Sequence, residues 1–268
     1  MKDDRPIAIF DSGLGGLTAA GAVSKLYPNE DLVYFGDTGR VPYGTRSRRT
    51  INRFAAQAVR FLMTFDPKAL VVACGTASTA AMGIFNALNI PVLGIVEPSV
   101  RKAAAVTRNK RVGLIATPAS VRTGVYSEHM RKIDPDIVLT ERDGRLLVPL
   151  VEAGRIGPGD PAARLLVEEY CVPFVKAGAD TLILGCTHYP LLISFFEAAL
   201  PGVELINAGA EAAAALNGLL IRAETGKAGK HSFFVSDDAE GFSEQARLFL
   251  QGEASVSAEF VDLDEILV

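Results

Sequence analysis

The feature that most constrains this chain is an alternation, repeated along its length, of short apolar runs with longer segments of helical spacing. Uncharged runs at 7–10, 32–35, 70–74, 92–96, 112–116, 137–139 and 181–185 are rich in Val, Ile and Leu, and further candidates lie at 203–206 and 233–235. Between them, 17–26, 50–65, 77–88, 118–130, 161–176 and 191–199 read as helices. Strands that are apolar on both faces need cover on both faces, and alternation with helices supplies it. The pattern predicts an α/β fold of parallel sheets clad in helices. Ligands of such sheets gather beyond the carboxyl ends of the strands. Asp11, Asp37, Cys74, Thr117 and Cys186 all fall at those ends.

The two halves echo each other. Segment 7–13 resembles 112–118, and 70–74 resembles 182–186, each pair a strand running into a loop. No stretch reads as a flexible linker. We therefore expect a second α/β unit, 98–207, inserted into a first made of 1–97 and 208–268. If the units face one another, Cys74 and Cys186 look at each other across a cleft.

Composition removes several classes of function. Of 268 residues, 49% are hydrophobic and 22% charged, which suits a compact domain and not a disordered chain. A formal charge of -4 offers no basic field to a phosphate backbone, so no nucleic-acid partner is expected. The segment 1–6 leads straight into a short apolar run and lacks a signal peptide's long apolar region. Residues 69–96 carry no charge, yet Gly75, Asn86, Asn89 and Pro91 punctuate them, so they read as core and not a membrane span. The three cysteines are widely spaced, which argues against a disulfide framework and for a reducing cytoplasm.

Those cysteines differ in setting. Cys74 ends an apolar run before Gly75-Thr76-Ala77-Ser78, and Cys186 ends another before Thr187-His188-Tyr189-Pro190. Both read as thiols at helix N-termini, where free N–H groups and the helix dipole favour thiolate. A lone cysteine is by default a small buried hydrophobe, but two in matching contexts reverse that reading. Cys171, spaced with Val167 and Val175 on a helical ridge, reads as core. The loop Asp11-Ser12-Gly13-Leu14-Gly15-Gly16 brings backbone N–H groups close to an anion, but Thr18 stands where a dinucleotide fingerprint needs glycine. Gly36-Asp37-Thr38 with Pro42-Tyr43-Gly44 reads as a wall of the site. His188 lacks a second Cys/His pair at ligand spacing, so tuning a thiol or an ammonium group is its expected role, and no metal is expected.

The segments Asp11-Ser12-Gly13-Leu14-Gly15-Gly16-Leu17, Asp37-Thr38 with Pro42-Tyr43-Gly44, Ala73-Cys74-Gly75-Thr76-Ala77-Ser78 and Gly185-Cys186-Thr187-His188-Tyr189-Pro190 resemble the glutamate racemases, in order and spacing, over nearly the whole chain. The resemblance implies two pseudo-symmetric parallel-sheet α/β domains with the active site between them, and no pyridoxal phosphate, metal or other cofactor. It implies catalysis by Cys74 and Cys186, and substrate binding by Asp11, Ser12, Tyr43, Gly44, Gly75, Thr76, Thr187 and His188. Glu152 resembles an acidic residue near the second cysteine. The family usually carries asparagine after its first cysteine. Gly75 lacks that amide, and a hydrogen bond to a charged group is worth about 1.5–3 kcal/mol. The implied activity is interconversion of L- and D-glutamate in a bacterial cytoplasm, for peptidoglycan, by a homodimer without membrane attachment. The readings kept beside it are a related racemase acting on aspartate or another amino acid, a non-catalytic binding protein of the same fold, and a thiol redox or metal protein.

Overall fold

The computed structural model describes residues 3–223, 227–250 and 256–265. Positions 1–2, 224–226, 251–255 and 266–268 of the expected first unit lie outside the described residues. Among the described residues ten strands form two sheets. They are β1 (Ile7–Asp11), β2 (Leu32–Gly36), β3 (Ala69–Val72), β4 (Val92–Gly94), β5 (Arg111–Ala116), β6 (Val138–Asp143), β7 (Thr181–Leu184), β8 (Glu204–Asn207), β9 (His231–Val235) and β10 (Ala258–Phe260). The first sheet runs β10-β9-β2-β1-β3-β4 and the second β6-β5-β7-β8, with every pairing parallel.

The order β2-β1-β3-β4 recurs as β6-β5-β7-β8, so the echo in sequence is an echo in topology. In register, Ile7 opposes Ala69 as Val112 opposes Thr181. Residues alternate between faces as pleating requires. Ile7 and Ile9 enter one apolar cluster, while Ala8 and Phe10 enter another. Leu182 and Leu184 join the same cluster as Ile7, and Ile183 faces a third. One cluster therefore spans both sheets. The helix Ala208–Ala215 bridges them, touching both Leu17–Leu26 and Val96–Val106.

Helix limits follow local chemistry. The helix Arg48–Met63 opens on Ser47, whose hydroxyl accepts from the Thr50 amide at 3.2 Å. Pro161–Ala177 has Asp160 as its cap, proline at its first position, and Gly178 at φ 65° beyond its end.

Several expected elements differ. The helix expected over 77–88 divides into Gly75–Ala80 and Met82–Phe85. There the Thr79 hydroxyl bonds the Gly75 and Thr76 carbonyls, competing with continued helix. That expected over 118–130 divides at Gly124, which takes a left-handed φ of 67°. Residues 95–96, expected in strand, turn instead into the helix Val96–Val106, whose Pro98 sits in the first turn where its missing N–H costs nothing. This helix crosses the boundary expected after residue 97. Strand β6 runs on through charged Glu141, Arg142 and Asp143, which an edge position permits. The uncharged stretch 69–96 folds as strand, helix and strand, and no helix among the described residues is long and apolar enough to cross a membrane.

A buried ion pair anchors the return of the chain to the first sheet. Lys68 pairs with Glu30, their side chains only 2% and 3% exposed, and donates to the carbonyls of Asp3 and Ile221. Glu30 accepts from the Ala223 amide at 3.0 Å. Removing one partner strands the other charge in an apolar setting. Lys68→Met should lower the free energy of unfolding by about 3–5 kcal/mol, read by urea denaturation, and adding Glu30→Leu should recover most of that loss. A single variant as stable as the parent chain would refute this account.

Candidate active site

Strand geometry delivers the site residues to one place. Asp11 ends β1, Asp37 and Thr117 directly follow β2 and β5, and Cys74 and Cys186 each lie two residues beyond β3 and β7. The carboxyl ends of both sheets border one cavity of about 270 Å³, just below the ~300–1,000 Å³ usual for small-molecule sites. Cys74 and Cys186 both line it. So do Ser12, Tyr43, Gly44, Gly75, Thr76, Thr187 and His188. Asp11 does not line it, being fully buried, and of the expected wall Pro42, Tyr43 and Gly44 line the cavity while Gly36, Asp37 and Thr38 do not.

The first thiol stands in a setting that favours its protonated form. Cys74 is 4% exposed, and its Sγ donates to Ser12 Oγ at 3.4 Å. It does precede a helix, Gly75–Ala80, as expected, but the expected lowering of its pKa is reversed. Burial, reinforced by the Asp11 charge, pushes it up to about 12 despite the Ser12 bond and the Ala77 amide. A helix of six residues supplies little dipole against complete desolvation. Asp11 is itself raised by burial, opposed by the His188 charge and by loop amides. Its Oδ2 accepts from the Gly13 amide at 3.0 Å, so that amide is committed within the loop and is not free for a ligand carboxylate.

The second thiol has a different neighbour. Cys186 does not cap an α-helix: a short 3-10 turn, Tyr189–Leu192, follows it, and the α-helix begins only at Ile193. Its Sγ lies 3.9 Å from His188 Nδ1, while His188 Nε2 lies 3.1 Å from Glu152 Oε1. Burial works against charge on that imidazole, but its contacts with Cys186 and Glu152 outweigh burial and raise its pKa to about 10. These contacts favour the charged imidazole, which meets the Phe249 ring in a T-shaped contact with centroids 5.5 Å apart.

The walls are held from behind. Asp37 accepts from Arg40 Nε at 2.8 Å, from Ser236 Oγ at 2.7 Å and from the Tyr43 hydroxyl. Burial and that carboxylate push the Tyr43 phenol well above its ordinary range. Tyr43 thus lines the cavity with its hydroxyl proton given to Asp37. Thr76 and Thr117 join the two halves through a hydroxyl pair at 2.9 Å, and Thr18 donates across the same seam to the Thr187 carbonyl at 3.0 Å. Cys171 is buried core, as expected, but Val175, placed beside it on the ridge, is 61% exposed. Among the described residues no group of three or more His, Cys, Asp and Glu is gathered to hold a metal ion.

Sequence reasoning missed Arg145, Val148 and Pro149, which also line the cavity. Arg145 sits at the rim, paired with Asp143 at 2.8 Å. The strand-end rule would have found it had the strand expected over 137–139 been carried on to Asp143, where β6 ends.

Two α/β sheets, the second formed by strands that lie in sequence between those of the first, each bring a cysteine beyond matching strand ends to a shared cleft, and this defines a paired-thiol α/β protein. The profile of the Asp/Glu/Hydantoin racemase family matches residues 19–216, and the chain belongs to that family. It is 42% identical over 255 residues to the glutamate racemase of Geobacter metallireducens, covering 93% of this chain and 94% of that one. The crystal structure of the Francisella tularensis glutamate racemase in complex with D-glutamate superposes with a TM-score of 0.90 at 36% identity, over 98% and 99% of the two chains. The Escherichia coli enzyme in complex with L-glutamate and the activator UDP-MurNAc-ala gives 0.77 at 28%, over 96% and 98%.

Two titrations check these electrostatics. Alkylation of Cys74, followed at the peptide level by mass spectrometry, should still be accelerating at pH 10, where an ordinary thiol of pKa about 8.5 has levelled off; a plateau near pH 9 would contradict the burial account. Glu152→Gln removes one of the contacts that raise His188, so the imidazole pKa should fall below about 10 in an NMR titration. An unmoved value would assign the rise to Cys186 alone.

Proposed function

We propose that this chain is a glutamate racemase, interconverting L- and D-glutamate without a cofactor, one of Cys74 and Cys186 taking the α-proton and the other returning a proton to the opposite face. The observation that carries the reading is that the two thiols stand at equivalent strand ends of two matching sheets and line one cavity. The names of its relatives support glutamate as the substrate.

Racemisation must remove a weakly acidic proton from one face of a carbon and return one to the other. A single base would have to cross the substrate, whereas two opposed thiols need not move. With D-glutamate, Cys74 as thiolate takes the α-proton and becomes a thiol, and the electron pair left on carbon spreads into the α-carboxyl group. Cys186 then gives its S–H proton to the opposite face and is left as thiolate. With L-glutamate the roles exchange. Only protons move, one to a sulfur and one from its partner to the opposite face, so no electron carrier enters.

The surroundings suit this chemistry. A thiol raised by burial is, once ionised, a strong base, and the incoming ammonium group supplies a positive charge that favours its thiolate. Acid–base catalysis contributes about 10²–10⁴-fold per group; the remainder must come from positioning, for which Ser12, Thr76, Thr187 and the Gly75 amide are available. D-glutamate for peptidoglycan, a cytoplasmic location and a homodimer belong to the same proposal, the last checked by sedimentation.

In deuterated water the chain should exchange the α-hydrogen of both glutamate enantiomers and interconvert them. Cys74→Ala and Cys186→Ala should each lower racemisation by at least about 10²-fold. Full activity in either variant ends the two-thiol reading, and turnover of aspartate in place of glutamate ends the substrate assignment.

A further inference from the structure

We infer that Arg145, on the rim of the cavity, is a specificity-determining residue that receives the side-chain carboxylate of the substrate. The inference rests on the glutamate reading and deepens it, naming the group that tells a dicarboxylic amino acid from one with a neutral side chain.

Such a substrate brings two carboxylates and one ammonium group, and each carboxylate needs a donor that is not already spent. Among the described residues Arg145 is the one lysine or arginine that lines the cavity. His188 spends both ring nitrogens, on Cys186 and on Glu152. Tyr43 gives its hydroxyl proton to Asp37. Thr76 and Thr117 face each other at 2.9 Å, and Thr117 also meets the Ser120 hydroxyl at 2.9 Å. Arg145 keeps an unused edge. Its Nε and Nη2 donate to the two Asp143 oxygens at 2.8 and 3.1 Å, while Nη1 makes no hydrogen bond to a described residue.

Position assigns it to the second carboxylate and not the first. Two thiols that serve one α-carbon keep the α-carboxylate and the ammonium group among the strand-end groups, where the Ser12 hydroxyl lies 3.4 Å from Cys74 Sγ and Thr187 follows Cys186. The side-chain carboxylate stands three carbons further on. Arg145 comes to the cavity from beyond β6, an edge strand, and not from the inner strands β3 and β7 whose ends carry the thiols.

The guanidinium is oriented before a ligand arrives. It carries its donors in a rigid planar fork, so holding the Nε–Nη2 edge fixes the direction of Nη1. The same bond holds the Asp143 carboxyl below the usual carboxylate range, so the pair persists at neutral pH. Arg145 is 64% exposed and Asp143 27%, a wet setting that leaves a contact with the substrate modest and salt-dependent. Its signature therefore belongs to binding and not to the chemical step.

The test measures racemisation of both glutamate enantiomers by the parent chain, Arg145→Gln and Arg145→Lys at rising NaCl. Arg145→Gln should raise KM about 5-fold with kcat nearly unchanged. The parent's KM should climb with salt more steeply than that of Arg145→Gln. Arg145→Lys, which restores the charge but not the fork, should recover part of the loss. An unmoved KM in Arg145→Gln overturns the inference. So does a fall in kcat that matches the rise in KM, or a lysine variant no better than the glutamine one, since either marks a brace of the rim and not a ligand of the substrate. If the parent chain does not racemise glutamate, the proposed function fails instead, and protection of Cys186 from alkylation by D-glutamate still tests Arg145. Arg145→Gln should then need about 5-fold more ligand for half protection. Equal need, or no protection of the parent chain, overturns the inference.

Discussion

Apolar contact between the two sheets runs without a break through the helix Ala208–Ala215, and it is this shared seam that holds two sets of strand ends over one cavity. Ile7, Ile9 and Val71 of the first sheet and Ile115, Leu182 and Leu184 of the second belong to a single cluster. The halves are therefore not two cores joined by a tether. Burial of that seam fixes their relative placement, and the polar ties across it, Thr76 to Thr117 and Thr18 to Thr187, add direction to a contact that apolar surface alone would leave adjustable. The positions of Cys74 and Cys186 are consequences of the seam.

Within the cavity the same burial decides the acid–base character of the groups. Two effects compete at Cys74, the unpaired amides of a short helix and the removal of water, and desolvation wins because the sulfur is enclosed while the helix is six residues long. At His188 the balance goes the other way: burial opposes the charge, but a thiol on one nitrogen and a carboxylate on the other hold it. The two sides of the cleft are alike in topology and unlike in electrostatics, one sulfur backed by a buried aspartate and the other by an imidazole whose pKa its neighbours raise. A reaction that runs in both directions with the sulfurs exchanging roles does not require identical settings. It requires that substrate charge be able to shift each thiol between its two states.

The alternation of apolar runs and helical segments was enough to place the parallel sheets, their echo, and the carboxyl-end positions of Asp11, Cys74 and Cys186, because strand and helix periods are local and a βα unit leaves little choice of topology. The motifs at those ends likewise brought together Ser12, Tyr43, Thr76, Thr187 and His188 before any coordinates. What the sequence could not carry was everything that depends on how far two distant segments approach. Whether a cysteine ahead of a helix is solvated or enclosed, whether Gly75 is a lost amide or a space filled by a carbonyl 110 residues away, and that Arg145 reaches the rim from an edge strand, are set by contacts across the seam. Local pattern determines what each strand end presents; the depth at which the units close on each other determines its pKa and its distance from the partner, and that depth is a property of the assembled core.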